Sequence, residues 1–322
     1  MRIEGYIGIF AVIAVVSILY ERYNKKFGED DELREYHLVR KHLLNDNTVL
    51  KGKPIIWVHT DYKVNSRKWL DFKSRNTKDL NQKYIEMCVE SIIKWSGESS
   101  NVCIINDDSF KTLIPGWTVD FNLLSDPIKS HMRHLAIAKV LYYYGGMLLP
   151  NSVLLLRDIM PLYKQMIGYK SMFVSEMVSK NITSSRSRFY PSNKIMGCIK
   201  NCSFMDKYVK KLELLISGDN THQMDFTGQM DRYLYEMVKQ GKIQLVDGKL
   251  LGMKTKDREV VLVDDLMNSS YVEFDRDIYG IYLPKEDILN RTKYNWFARL
   301  DRNQVYNANT IVSKYMVISH GK

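Results

Sequence analysis

The sequence predicts an α/β fold with a mostly parallel central sheet, and two features carry that expectation. The first is a strand, helix, strand unit. Pro54-Ile-Ile-Trp-Val-His59 is a compact apolar run of β-formers, residues 80–95 place Tyr84, Cys88, Ile92 and Trp95 at helical spacing, and Val102-Cys-Ile-Ile-Asn106 is a second short buried strand. Such a βαβ unit pairs its strands in parallel and gathers ligand chemistry at their carboxyl ends. The second is the run Leu141-Tyr-Tyr-Tyr-Gly-Gly-Met-Leu-Leu-Pro-Asn-Ser-Val-Leu-Leu-Leu156, in which a helix ends on a glycine pair and a strand begins.

Residues 5–20 carry no charge, and Glu21, Arg22, Lys25 and Lys26 close that run. Its sixteen residues fall slightly short of the ~20 that cross a bilayer as a helix, but snorkelling of Arg2 and Arg22 extends the reach. An uncleaved single-pass anchor over residues 1–22 is the preferred reading. A cleaved signal peptide competes on length, against Glu4 and the lack of a small-X-small site before Glu21; a buried core helix is the third reading. The basic excess after the run leaves the body on the cytosolic side by the positive-inside bias. Residues 23–53, mixed in charge and containing Glu29-Asp-Asp-Glu32, read as a stalk with a short helix at 33–44, and the globular domain follows as residues 54–322.

Within the domain, Asp126-Pro127 opens the next helix with an N-cap acceptor and a proline in the first turn, and Ile128, Met132, Leu135, Ala136, Val140 and Leu141 give it an apolar face. Gly145 is expected as its left-handed C-cap. Residues 147–156 read as the third strand, 170–176 and 194–199 as further strands, and 203–216 and 229–238 as helices. Beyond Gly241 come short apolar runs such as Val260-Val-Leu-Val263 and Ile278-Tyr-Gly-Ile-Tyr-Leu283. No internal repeat or low-complexity stretch interrupts the chain.

With 322 residues, 45% of them hydrophobic, the chain can bury one large core and is neither disordered nor fibrous. Its formal charge of +10 suits nucleotide diphosphates or an anionic membrane face. Nucleic acid is not expected as a partner, because the basic residues form no block and no zinc-knuckle or aromatic RNA-binding signature accompanies them. Cys88, Cys103, Cys198 and Cys202 read as core thiols, since the last two have no His or second Cys pair to complete a zinc site.

The order of Pro54-Ile-Ile-Trp-Val, the helix at 80–95, the strand into Asp107-Asp108 and the Tyr144-Gly-Gly-Met strand resembles that of the family 32 and capsular-polysaccharide-synthesis type glycosyltransferases. Asn193-Lys-Ile-Met-Gly-Cys198 and Phe226-Thr-Gly-Gln-Met-Asp231 look like that group's later strand and acceptor-side Thr-Gly segment, so the match spans residues 53–238. Residues 69–76 and the Gly-Gly-Met-Leu-Leu-Pro-Asn-Ser variant also resemble glycosyltransferase-like proteins of large DNA viruses. The resemblance implies a GT-A, Rossmann-like fold and transfer of a hexose from a nucleotide sugar to a hydroxyl of a glycan or protein acceptor. By the viral likeness, the membrane is that of a virion or a host compartment.

The resemblance also implies site residues. A nucleotide sugar would meet His59, Thr60 and Asp61 at the end of the first strand, Asp107 and Asp108 at the end of the second, and the cations Arg133 and Lys139. Gly145 and Gly146, with Asn151 and Ser152 beyond them, complete the donor side. Asp231 and Asp225, flanking the Thr-Gly segment, are the candidate acceptor bases. Each has a structural reading beside it: strand-end turns for His59 to Asp61, an Asx turn capping the helix from Ser109 for the Asp107 pair, a similar cap for Asp264-Asp265, and a helix-start acid for Asp231. Tyr142 to Tyr144 and Tyr294-Asn-Trp-Phe297 read as core packing or as sugar-stacking groups.

Two departures separate this chain from the group it resembles. His134 and Ile137 hold the places of an Asp-X-X-Arg pair, and Pro150, Asn151 and Ser152 hold those of the metal-binding Asp-X-Asp. Carboxylates bind hard divalent cations through anionic oxygen, whereas Asn and Ser offer neutral oxygen, so Mn²⁺ or Mg²⁺ is not expected there and no metal ligand is assigned. Lys, Arg or helix N-termini would then stabilise the diphosphate. A catalytically inactive scaffold, acting as a structural or binding membrane protein, is the rival reading.

Overall fold

The computed structural model describes residues 52–60, 82–218 and 222–321. The anchor over 1–22, the stalk apart from its last two residues, and Asp61 lie outside these, and no helix among the described residues is long and apolar enough to cross a membrane. In chain order the regular elements are β1 (Ile55–His59), α1 (Lys83–Ser96), β2 (Asn101–Ile105), α2 (Ser109–Leu113), α3 (Ile128–Tyr144), β3 (Gly146–Leu148), β4 (Val153–Leu155), α4 (Met160–Tyr169) and β5 (Met172–Val178). They continue with β6 (Phe189–Cys198), α5 (Ser203–Ser217), α6 (Gln223–Lys239), β7 (Gln244–Val246), α7 (Val263–Leu266), β8 (Gly280–Tyr282), α8 (Lys285–Asn290), α9 (Arg302–Asn307) and α10 (Ile311–His320).

The central sheet has six strands in the order β2-β1-β3-β6-β5-β7. β1 pairs in parallel with both β2 and β3, and β5 pairs in parallel with β7, while β6 runs antiparallel between β3 and β5. The sheet is therefore mostly parallel, as the βαβ unit requires. Ile56, Trp57 and Val58 are all buried, the continuous apolar run of a strand covered on both faces. The chain leaves β1 for β2 on one side of the sheet and, after β3, continues to β5 and β6 on the other, so the carboxyl ends of β1 and β3 flank a topological switch point.

The apolar run 147–156 does not stay one strand. Leu149 still donates to Trp57 O at 2.9 Å, but Pro150 has no N–H to continue the ladder, and Val153 N turns back to Pro150 O. Beyond this turn β4 leaves the central sheet and pairs antiparallel with β8. The apolar run at 260–263 likewise forms only a single bridge, Lys254 with Val260, before α7.

Among the described residues two hydrophobic cores result. Ile56, Val58, Met147, Phe173 and Ile195 of the central sheet pack with Ile92 of α1 and with α4. Leu154 and Ile281 of the small sheet pack with Tyr84, Phe297, Val305 and Met316. Tyr294 and Phe297 are thus core residues.

The glycine pair is structural. Gly146 has φ +96°, and a Cβ there would lie 2.3 Å from Ile55 O, so a side chain would push β3 off β1. Gly145 has φ +71° but ψ −164°, which is not the expected left-handed cap; it is a conformation open essentially to glycine alone. Its carbonyl accepts from Trp57 Nε1 at 2.9 Å. The start of α3 also differs from expectation, since Asp126 makes no side-chain cap and Pro127 is the residue preceding the helix.

Candidate functional site

A cleft of about 520 Å³ opens at the carboxyl ends of β1, β3 and β5 and at the start of antiparallel β6. This is the edge where the switch point falls. His59 ends β1, Leu149 and Pro150 follow β3, Met177 and Val178 end β5, and Ser192, Asn193 and Lys194 come from β6. Arg133 and His134 reach it from α3, Asp231 from α6, and Lys285 and Glu286 from α8.

On one wall, Asp107 organises two of these groups. Arg133 donates to it twice, Nε to Oδ1 at 2.8 Å and Nη2 to Oδ2 at 2.6 Å, and His59 Nε2 lies 3.0 Å from Oδ1. Burial alone would raise the Asp107 carboxyl, but the hydrogen bonds from His59 and Arg133 and the guanidinium charge outweigh it and hold it well below the usual carboxylate range. The His59 ring also stacks on Phe110 at 5.6 Å. Asp107 is therefore a positioning residue behind the cleft wall, while Asp108 is exposed and does not line the cleft. The expected Asx cap belongs to Asn106 instead, whose Oδ1 accepts from Ser109 N at 3.0 Å.

The floor is polar and mostly neutral. Asp231 lies within α6, not at its start, and is 7% exposed. Its Oδ2 accepts from Asn181 Nδ2 at 2.5 Å. Burial pushes its carboxyl up to about 7, against the opposing hydrogen bonds from Asn181 and Ser192 and the Lys194 charge. His134 is pushed down to about 4 by burial and by repulsion from His131, Lys194, His59 and Arg133. It is thus neutral at pH 7, and its Nδ1 accepts from Asn193 Nδ2 at 2.9 Å, which leaves the proton on Nε2. Lys194 donates to Tyr282 Oη at 3.1 Å and is held fully cationic, first by the Tyr282 phenol and then, against its own burial, by Glu286 and Asp231.

The third wall is built by the β4–β8 pairing. Leu283 N donates to Ser152 O at 2.8 Å, which sets Lys285 beside Asn151, and Lys285 Nζ donates to Asn151 Oδ1 at 2.8 Å. Ser152 is wholly buried, and its hydroxyl has no hydrogen-bond partner among the described residues. Lys180 at the rim is ion-paired with Asp287.

Of the residues singled out from the sequence, the structure brings His59, Arg133, Ser152 and Asp231 to the cleft, with Asp107 and Asn151 supporting them. Thr60 is buried at the end of β1 without lining it. Lys139 pairs with Glu213 of α5 at 2.7 Å, and Asp225 is exposed beside His222; neither lines the cleft, although Gln223, Met224 and Thr227 around Asp225 do. Gly145 and Gly146 sit at the opposite, amino end of β3. Asp264 is bound by Arg291, Lys293 and Tyr294, and Asp265 caps Leu262 N, so that pair is a helix-end device. Sequence reasoning missed Asn181, Tyr282, Lys285 and Glu286. Only the Asn193-Lys194 segment carried a signal, its likeness to a known strand.

No protein-family model matches the chain, and no curated protein matches it. Solved structures similar to it include mouse xyloside xylosyltransferase 1 in its apo form, 7% identical over 73% of this chain and 98% of that one, with a TM-score of 0.41. A glycosyltransferase involved in glycosylation of the major capsid of PBCV-1 is 8% identical over 77% of this chain and all of that one, TM-score 0.41. The glycosyltransferase GlyE of Streptococcus pneumoniae is 10% identical over 61% of this chain and 46% of that one, TM-score 0.35. At these scores the likeness is a partial overlap of backbones.

Proposed function

We propose that this chain is a GT-A type transferase that moves a hexose from a nucleoside diphosphate sugar to a hydroxyl of a glycan or protein acceptor, with Asp231 as the base. The observation that carries this reading is Asp231 itself, a buried carboxyl in a cleft at the switch point, with its proton equilibrium near neutrality. A base with a pKa near the working pH combines a usable ionised fraction with enough basicity to take a proton. In the step, Asp231 accepts the proton of the acceptor hydroxyl as its oxygen bonds the anomeric carbon. The bond from that carbon to the diphosphate oxygen breaks, and its electron pair leaves with the diphosphate. Neutral His134 offers an Nε2–H donor, and Arg133 stays oriented by Asp107.

The residues around Asn151 do not suit a divalent cation. Asn151 and Ser152 supply neutral oxygens, and the Asn151 oxygen already faces an ammonium. No step is therefore routed through a metal. The same neutral pair favours the second reading, a scaffold that binds without turnover. The apolar run at 5–20 would anchor the body to a virion or host internal membrane, on the cytosolic side.

Thermal scans of the full chain with a panel of nucleoside diphosphate sugars, paired with product analysis of candidate acceptors, test the proposal. A donor at a hundred times its Kd should stabilise the fold by about 2.7 kcal/mol, and transfer should accompany it. Stabilisation without transfer favours the scaffold, and the absence of both over the whole panel removes the transferase reading.

A further inference from the structure

We infer that the edge of the central sheet opposite the cleft docks on an anionic membrane surface, through Lys170, Lys200 and Lys242 with Tyr169 and Ile199 among them. The inference stands apart from the transferase reading, since none of these residues lines the cleft.

The sheet gathers these side chains from separate parts of the chain. β5 and β7 run parallel to β1 and β3 while β6 runs against them, so the amino ends of β5 and β7 and the carboxyl end of β6 share one edge. Lys170 and Lys242 each stand two residues before their strands, and Lys200 stands two residues after β6. With Met172 opposite Cys198 and Phe173 opposite Gln244, the register brings all three to nearly one level on neighbouring strands. Such strands lie about 4.8 Å apart, so like charge is concentrated in a short row. All three lysines are exposed. No acidic residue occurs in 159–175, 177–205 or 237–246, the segments that form this row. Asp206, in the first turn of α5, is held by Lys210 at 2.6 Å, and Glu98 and Asp158 belong to the β2 side, where Ser99 donates to Asp158.

Charge alone would suit any polyanion, and the apolar groups choose among them. Tyr169 is 65% exposed beside Lys170, and Ile199 is 44% exposed beside Lys200. An exposed isoleucine contributes nothing to a phosphate backbone. An aromatic ring and an aliphatic side chain flanked by lysines match the headgroup boundary of a bilayer, with the ammonium groups on anionic lipid. The loops that carry them are tied together, since Ile199 N donates to Ser171 O at 3.0 Å and Asn201 N to Tyr142 O at 2.8 Å. They therefore form one fixed platform. The chain also enters the domain on this edge, through Gly52 to Pro54 ahead of β1. Anionic lipid is concentrated in cytoplasmic leaflets, the side on which the proposed anchor leaves the body. Docking here turns the cleft, at the other end of the strands, away from the membrane.

Hydrogen exchange of the full chain with vesicles of phosphatidylcholine alone, and of phosphatidylcholine with phosphatidylserine, tests this. Backbone amides of 168–171, 199–202 and 240–243 should exchange more slowly on the anionic vesicles only, and high salt should remove the difference. Combined Lys170→Gln, Lys200→Gln and Lys242→Gln should weaken the contact about a hundredfold, returning those amides to their rate on neutral vesicles. Lys170→Arg, Lys200→Arg and Lys242→Arg together should retain the protection, and thermal melts check that both variants fold. Equal exchange on the two kinds of vesicle overturns the inference, as does protection that survives the triple Gln replacement. Protection of these amides by duplex RNA, with none from anionic vesicles, assigns the row to nucleic acid and overturns it too. Donor binding and transfer to a soluble acceptor do not involve these lysines, so loss of the docking leaves the transferase reading standing.

Discussion

Replacing Asp231 by Asn isolates the physical cost of the base. The carboxyl is raised from an ordinary 3.8 to about 7 by burial. At about 1.4 kcal/mol per pH unit that displacement corresponds to about 4 kcal/mol, as an order of magnitude. Because the folded-state value is the higher one, the native chain holds the proton more tightly than the unfolded chain between those two values. Stability from this group is thus fully present below pH 3.8 and lost as pH rises through 7. Asp231→Asn keeps an oxygen for Asn181 and removes the charge. Relative to wild type, its stability should therefore improve by about 2–4 kcal/mol between pH 5 and pH 8.5. Urea unfolding of both proteins at the two pH values measures this, with equal m-values confirming a common unfolded state. Groups common to both cancel in the difference. A stability difference that is the same at both pH values would refute the claim that Asp231 is buried and titrates near neutrality. The same variant should lower transfer about a hundredfold or more, and a variant with full turnover would show that another group takes the proton.

Three further outcomes follow from the structure. Gly146→Ala should cost more than about 3 kcal/mol, seen as a large drop in Tm, because its Cβ would lie 2.3 Å from Ile55 O at φ +96°. Asp107→Asn should cost about 1–3 kcal/mol at pH 7 by loosening Arg133 and His59, and equal stability to wild type there would show that the pair holds nothing. Since the Asp107 carboxyl is depressed in the folded state, that cost should hold above the ordinary carboxylate value of 3.8 and begin to shrink below it, where the unfolded chain takes up the proton first, which unfolding curves from pH 7 down to pH 3 would follow. Lys139→Met, which removes an ion pair with Glu213 and a contact with the Trp117 ring but no residue lining the cleft, should change nucleotide binding less than twofold, and a larger loss would place the cleft elsewhere.

Local sequence determined what depends on local chemistry. The apolar run of β1, the helical spacing of α1 and the apolar β2 defined a βαβ unit, and with it the parallel pairing and the edge where a ligand would sit. The glycine pair marked the α3-to-β3 junction because no other residue fits those angles and contacts. Asp231 was identifiable as a candidate, but its burial was not, since that depends on Asn181 and Ser192 arriving from β6 and the segment before it. Long-range pairing decided the rest. The departure of β4 from the central sheet at Pro150 and its partnership with β8 bring Lys285 to Asn151 across 134 positions of chain. Periodicity reports which face of an element is apolar, not which distant element covers it. Residue types and spacing therefore placed the cleft at one edge of the sheet, while tertiary contacts alone chose which charges meet inside it.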